Sequence, residues 1–175
     1  MPGRLEARAA EALEAGRFVV APAAQWSYPE PIARQRVGRL GAVLYALRHG
    51  DGSSHALYGL YSRDVASASW LELALDGSAW FEEGFCQPAL QGEQSLVECV
   101  AVSAHGGSGG LIRLIPGRVV EGVTALQVLN DGQETSCEIS TLGTFIALSV
   151  SRPGSSRPRL RARRGDREST LDLPG

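Results

Sequence analysis

The stretch "ALQVLNDGQETSC", residues 125–137, reads as two short runs of strand-forming residues joined at Asp131-Gly132. The tightest hairpin turn needs positive φ at both central positions, which Asp tolerates and Gly adopts freely. The same pair recurs at Asp51-Gly52 in "LRHGDGSSHALYG" (47–59) and at Asp76-Gly77 in "LALDGSAWF" (73–81), so three hairpins are expected. Working outward from these turns, strands are expected at 42–49, 54–62, 68–75, 78–83, 95–103, 111–115, 118–129, 134–140 and 144–150. In the last of these, Thr144, Ile146, Leu148 and Val150 alternate with Phe145, Ala147 and Ser149, the period-2 pattern of a pleated strand. Many short strands separated by turn signals predict a mainly β chain, an antiparallel β-sandwich of the Ig-like or Greek-key type.

Only the N-terminus breaks this pattern. Leu5, Ala9, Ala12 and Leu13 recur at helical spacing, Glu and Arg fill the other face, and Gly16 is a natural stop, so residues 1–17 are expected to hold one short amphipathic helix. Pro22, Pro29 and Pro31 then make 18–36 read as an edge strand followed by a Pro-rich extended segment, with the sandwich occupying 37–175.

The 175 residues can bury about 70% of the unfolded surface. With 43% hydrophobic and 21% charged residues, a folded, soluble domain is expected rather than a disordered or fibrous chain. All 17 basic residues are Arg, as a GC-rich genome would encode. The net charge of −2 conceals an asymmetry, since residues 152–167, "RPGSSRPRLRARRGDR", hold seven Arg and one Asp. Such a segment either binds anionic surfaces or pairs with its own acidic body. No run approaches 18 apolar residues and no signal-peptide pattern opens the chain, so no membrane span and a cytoplasmic location are expected, or export if the chain is a trimmed product. Cys86, Cys99 and Cys137 lack C-x-x-C spacing; a Cys86–Cys99 bridge is open to an exported chain, and buried free thiols fit a cytosolic one.

The catalytic motifs are weak. Gly106-Gly107-Ser108-Gly109-Gly110 spells G-x-S-x-G, but a nucleophile elbow needs a helix after it, and the next residues are "LIRLIP", a strand-like run stopped by Pro116. His49, His55 and His105 all precede Ser108, against the order of that triad, so the loop is read as a hairpin connection and no enzyme is expected. His49 and His55 flank the Asp51-Gly52 turn and, with Asp51, could approach a divalent metal; polar loop residues are the simpler reading, so neither metal nor cofactor is expected. Arg164-Gly165-Asp166 spells an adhesive tripeptide and is read as a turn. Trp26, Tyr28, Trp70 and Trp80 are candidates for an aromatic binding patch, Trp70 and Trp80 as a cross-strand pair over the second turn; core packing competes with that reading.

A loose internal echo joins Gly59–Gly77 to Gly117–Gly132: Gly, then Val six residues later (Val65, Val123), then strand residues, then Asp-Gly. Both copies resemble a pattern in exported β-sandwich proteins of actinobacteria, over about residues 55 to 173. The resemblance implies an internal duplication and a final basic hairpin at the C-terminus. It brings no catalytic residue, and the membrane anchor such proteins usually carry is not seen in this sequence.

Two function classes remain open. The first is a non-catalytic sandwich that binds a protein partner, self-associates or serves as a subunit of a larger assembly, through the helix, a strand edge or the aromatic patch. The second is nucleic-acid or anionic-surface binding through the Arg-rich segment, where Arg159, Arg161 and Arg163 share a strand face and Arg164 adjoins them. No aromatic lies among these arginines to stack bases, which favours the first class.

Overall fold

The computed structural model describes residues 4–78, 96–99, 102–107 and 110–173. In chain order the elements are α1 (Arg4–Glu14), β1 (Glu30–Val37), β2 (Leu40–Arg48), β3 (Ser54–Arg63), β4 (Trp70–Ser78), β5 (Val97–Cys99) and β6 (Ser103–Gly107). Then come β7 (Gly110–Val119), β8 (Ala125–Asn130), β9 (Gln133–Ser136), β10 (Thr144–Ser151), β11 (Arg159–Arg164) and β12 (Arg167–Asp172). The chain is mainly β, an antiparallel sandwich with one N-terminal helix. It stacks three sheets rather than two. Sheet A is the meander β1-β2-β3-β4; sheet B runs β10-β7-β5, with β6 also paired to β7; sheet C runs β12-β11-β8-β9.

Strand periodicity explains the stacking. On β2, Ala42, Leu44 and Ala46 enter a core shared with Leu114, Ile146 and Leu148 of sheet B, while Val43 and Tyr45 enter a second core under α1. On β7 and β10, Ile115, Phe145 and Ala147 point the other way, into a third core with Leu126 and Val128 of β8 and Leu160 and Ala162 of β11. The β7–β10 ladder is therefore covered on both faces, as expected of a nearly continuous apolar run rather than of an alternating one.

Two of the three Asp-Gly pairs make turns. Asp131 (φ 51°) and Gly132 (φ 77°) are the centre of the β8–β9 hairpin, with both residues left-handed, and Asp51-Gly52 lies in the β2–β3 turn. Asp76-Gly77 does not turn: β4 runs through it, pairing Tyr58 with Asp76 and Leu57 with Gly77. The Asp76 carboxylate meets His105 Nε2 of β6 at 2.8 Å, across from sheet A to sheet B, so the pair is used for contact rather than reversal. The two Asp-Gly pairs that close the internal echo thus differ in backbone.

Other boundaries move for local reasons. β1 falls largely inside the segment expected to be extended, and the order is reversed, with irregular chain first and the edge strand after; Pro31 is tolerated because β1 is an edge and bulges between Pro31 and Ala33. Pro116 does not stop β7. It falls between Gly110–Leu114, paired with β6, and Gly117–Val119, paired with β5, where no ladder bond is asked of it on that side. The run 118–129 is two strands, β7 and β8, split by a turn at 121–122.

α1 docks through polar contacts at both ends. The buried Tyr45 and Tyr61 hydroxyls lie 2.7 Å apart, and Tyr45 Oη donates to the Leu5 carbonyl at 3.1 Å. At the other end Arg34 of β1 donates to the carbonyls of Ala12 (2.6 Å), Ala15 and Gly16, placing a cation where the helix dipole favours one. Glu14 accepts from Trp70 Nε1 (2.8 Å) and Arg63 Nε (3.0 Å), and the Trp70 hydrogen bond, with Arg63 and Arg36, holds its carboxyl below the usual value of 4.5.

A methyl at Gly117 would overlap the Glu98 carbonyl oxygen and stand 2.6 Å from Phe145 Cζ, so Gly117→Ala should destabilise the chain by about 3 kcal/mol, read by urea denaturation. Because the folded Glu14 carboxyl titrates below its unfolded value, its contribution is present above about pH 4.5 and lost as pH falls through the lowered value. Melting temperature should thus drop less steeply on acidification in Glu14→Gln than in the intact chain.

Candidate functional site

β11 carries the candidate arginines, and its alternation sorts them. Leu160 and Ala162 are fully buried against β8 and β7, so Arg159, Arg161 and Arg163 point outward. Arg161 reaches across sheet C, donating to Gln127 Oε1 of β8 through Nε (3.1 Å) and Nη2 (2.6 Å) while pairing with Glu134 of β9 at 2.7 Å. Arg163 pairs with Glu168, its cross-strand neighbour on β12, at 3.2 Å. Arg164 is exposed and lies beside Gly122, and Arg164-Gly165-Asp166 forms the β11–β12 turn. Arg159, opposite Asp172, joins Arg157 along a groove of about 230 Å³ whose far wall is the β8–β9 turn, Asn130 to Glu134. Neither has a carboxylate in ion-pair contact among the described residues.

The aromatic candidates do not assemble. Trp26 is buried in the core between sheets A and B, donates from Nε1 to the Ala21 carbonyl (2.6 Å) and meets the Tyr28 ring edge-on at 5.9 Å. Tyr28 is capped by Arg48, 4.4 Å above its ring, with Arg48 Nη2 also 2.8 Å from the hydroxyl. Trp70 lies on the opposite face of sheet A, buried under α1, with Arg36 at 5.1 Å. Trp80 is outside the described residues, as is its expected pairing with Trp70.

The histidines divide between the two faces of sheet A. His49 Nε2 and His55 Nδ1 hydrogen-bond at 2.5 Å with their rings stacked 4.4 Å apart, and burial with the neighbouring His49 depresses the pKa of His55. Asp51 turns to its own loop, accepting from Ser53 N (2.9 Å) and Oγ (2.6 Å). Among the described residues no three His, Cys, Asp or Glu side chains gather as metal ligands. On the other face, His105 bonds Asp76, and among the described residues no serine or cysteine side chain is bonded to that pair. Ser108 lies outside the described residues, but β6 and β7 pair up to Gly107↔Gly110, so strands flank the glycine loop where an elbow requires a helix. Cys99 and Cys137 are free thiols, and burial pushes Cys99 up to about 12 and Cys137 higher still; Cys86 is outside the described residues.

One feature was missed by sequence reasoning. β4 is the edge of sheet A, and among the described residues only β3 pairs with it. Along it Leu71, Leu73 and Leu75 are 50%, 55% and 40% exposed, with Leu73 the extra residue of a bulge opposite Leu60 and Tyr61. The signal was present as "LELAL", but the expected hairpin partner at 78–83 gave the strand neighbours on both sides.

Comparison with protein-family models, curated proteins and solved structures finds no match to this chain. No helix of the described residues is long and apolar enough to cross a membrane.

The C-terminal hairpin supplies two of the four strands of sheet C. Truncation after Ser151 should therefore strip cover from Leu126, Val128 and Phe145 and abolish a cooperative thermal transition. The single change Leu160→Ala should cost about 2–5 kcal/mol. An unchanged melting temperature on truncation would show the hairpin to be a free arm.

Proposed function

We propose that the chain is a non-catalytic β-sandwich acting as a protein-interaction module or as a subunit of a larger assembly, with β4 as its contact strand. The observation that carries the reading is that Leu71, Leu73 and Leu75, distributed over both faces by the bulge at Leu73, are exposed on a strand that is ladder-bonded on one side only among the described residues. A sheet edge offers unpaired N–H and C=O groups to another chain, and apolar side chains beside them supply the burial that makes pairing stable. Fully burying one leucine stabilises by about 1.5–3 kcal/mol, so three on one edge are worth more than any exposed ion pair in the molecule.

Nucleic-acid or anionic-surface binding through the Arg-rich hairpin is the second reading, favoured by Arg157 and Arg159 along their groove. Against it, Arg161 and Arg163 already hold Glu134 and Glu168, so neutralising a phosphate there would first require breaking an ion pair within the chain.

Light scattering over a range of concentrations separates the two. If β4 mediates assembly of this chain with itself, the intact protein should exceed its 18.6 kDa monomer mass and Leu73→Lys should return it to the monomer with an unchanged melt. A concentration-independent monomer, together with salt-dependent DNA affinity lost in Arg159→Ser, would instead favour the second reading.

A further inference from the structure

Three arginines reach into the interior, and two of them are compensated. Arg34 has Glu138 at 2.9 Å besides the carbonyls of Ala12, Ala15 and Gly16, and Arg118 has Glu98 at 2.7 Å. Arg113, in the middle of β7, is only 9% exposed and has no carboxylate in ion-pair contact among the described residues. Its one hydrogen bond is from Nη1 to Ser151 Oγ at 3.1 Å, and its Nε is buried without a partner.

The surroundings of this guanidinium are polar and organised. Arg113 stands between Ala104 of β6 and Ser149 of β10 in the ladder, on the face turned toward sheet C. Ser149 and Ser151 are both buried. Asn130, at the end of β8, donates to Ser149 Oγ (3.2 Å) and the Val150 carbonyl (2.7 Å), and its Oδ1 accepts from Ser151 Oγ (3.3 Å). Asn130 and Val150 also line a cleft of about 450 Å³, which Arg152 enters from the β10–β11 connection. Ala104, beside Arg113 in the ladder, is exposed, so this end of the sandwich is open to solvent close to the guanidinium.

A cation taken out of water is costly unless it is paired and its donors are used, and a guanidinium presents its donors as a planar fork matched to two oxygens of one anion. The Asn130, Ser149 and Ser151 side chains accept from or donate to one another, and among the described residues no carboxylate makes ion-pair contact with the guanidinium, Asp131 lining the neighbouring cleft instead. We propose that Arg113 is the anchor of a binding site for a compact oxyanion, a carboxylate or phosphate group, held between β6, β10 and the end of β8. The site is independent of the β4 edge and of the Arg-rich hairpin.

The test is the thermal melt of the full chain in chloride buffer with added inorganic phosphate or acetate. At a hundredfold excess over its dissociation constant, the bound anion should raise the melting temperature by about 5–10 °C. A response to phosphate alone assigns a phosphate ligand, and a response to acetate assigns a carboxylate. Arg113→Met, which removes the charge but keeps an unbranched apolar chain, should melt no lower than the intact protein in chloride and should lose the response. Ser151→Asp places a carboxylate within reach of Nη1, so it should melt higher in chloride and also lose the response. Arg159→Ser should respond as the intact chain does. If neither anion shifts the intact protein, or if Arg159→Ser alone removes the response, the proposal is overturned.

Discussion

The β7–β10 ladder has no solvent face over most of its length, and the rest of the fold is organised around that constraint. Ile146 and Leu148 look into sheet A, Phe145 and Ala147 look into sheet C, and the strands beyond exist to cover them. Each polar group placed on such a ladder must find a partner inside the protein. Thr144 Oγ1 bonds the Ile32 carbonyl (2.7 Å) and Ser140 Oγ (2.7 Å), which ties the edge of sheet B to the edge of sheet A. Arg118 takes Glu98, and Ser149 takes Asn130. Phe145 lies over Gly117, so even the absence of a side chain on β7 is used.

The sequence was legible where the information is local. Asp131-Gly132 announces its turn because a two-residue hairpin makes a demand on φ that few residues meet, whereas Asp51-Gly52 lies in a longer connection, 49–53, where Gly52 is left-handed and Asp51 is not. The alternation of Arg159, Leu160, Arg161, Ala162 and Arg163 places the arginines outward without knowledge of what lies beneath. Period-2 alternation misleads at β10: Thr144, Ile146 and Leu148 read as one half of a pleat, but Phe145 and Ala147 on the other half are equally apolar, and that is the mark of a strand between two sheets. Asp76-Gly77 misleads for a different reason. Its meaning depends on His105, 29 residues later, and on the strand pairing that brings the two together.

The candidate site was legible in position and not in consequence. That Arg161 would find Gln127 and Glu134, and Arg163 would find Glu168, depends on the register β8–β11–β12 and cannot be read from composition. In sheet C Arg161 is tied to Glu134 of the body and Arg163 to Glu168 of its own hairpin, so two of the seven arginines are ion-paired among the described residues. Pairs this exposed contribute little to stability each, so the hairpin is held by Leu160, Ala162 and Leu173, all buried, rather than by its charges.

Arginine is the only basic residue of the chain, and its interior positions show why a lysine would not serve equally. Arg34 satisfies the carbonyls of Ala12, Ala15 and Gly16 and the Glu138 carboxylate at once, which needs several donors fixed in one plane. Arg118 lies almost fully buried against the Glu98 carboxylate. Arg113 shares their burial and, among the described residues, lacks their counter-charge, and a lone charge in "LIRLIP" was the sequence signal of that difference. A lysine so placed could lose its proton and bury as a neutral amine; a guanidinium cannot, because its pKa lies far above any physiological pH. The charge at Arg113 therefore persists in the folded chain, and whatever relieves it must bring negative charge to the end of the sandwich where β6, β8 and β10 meet.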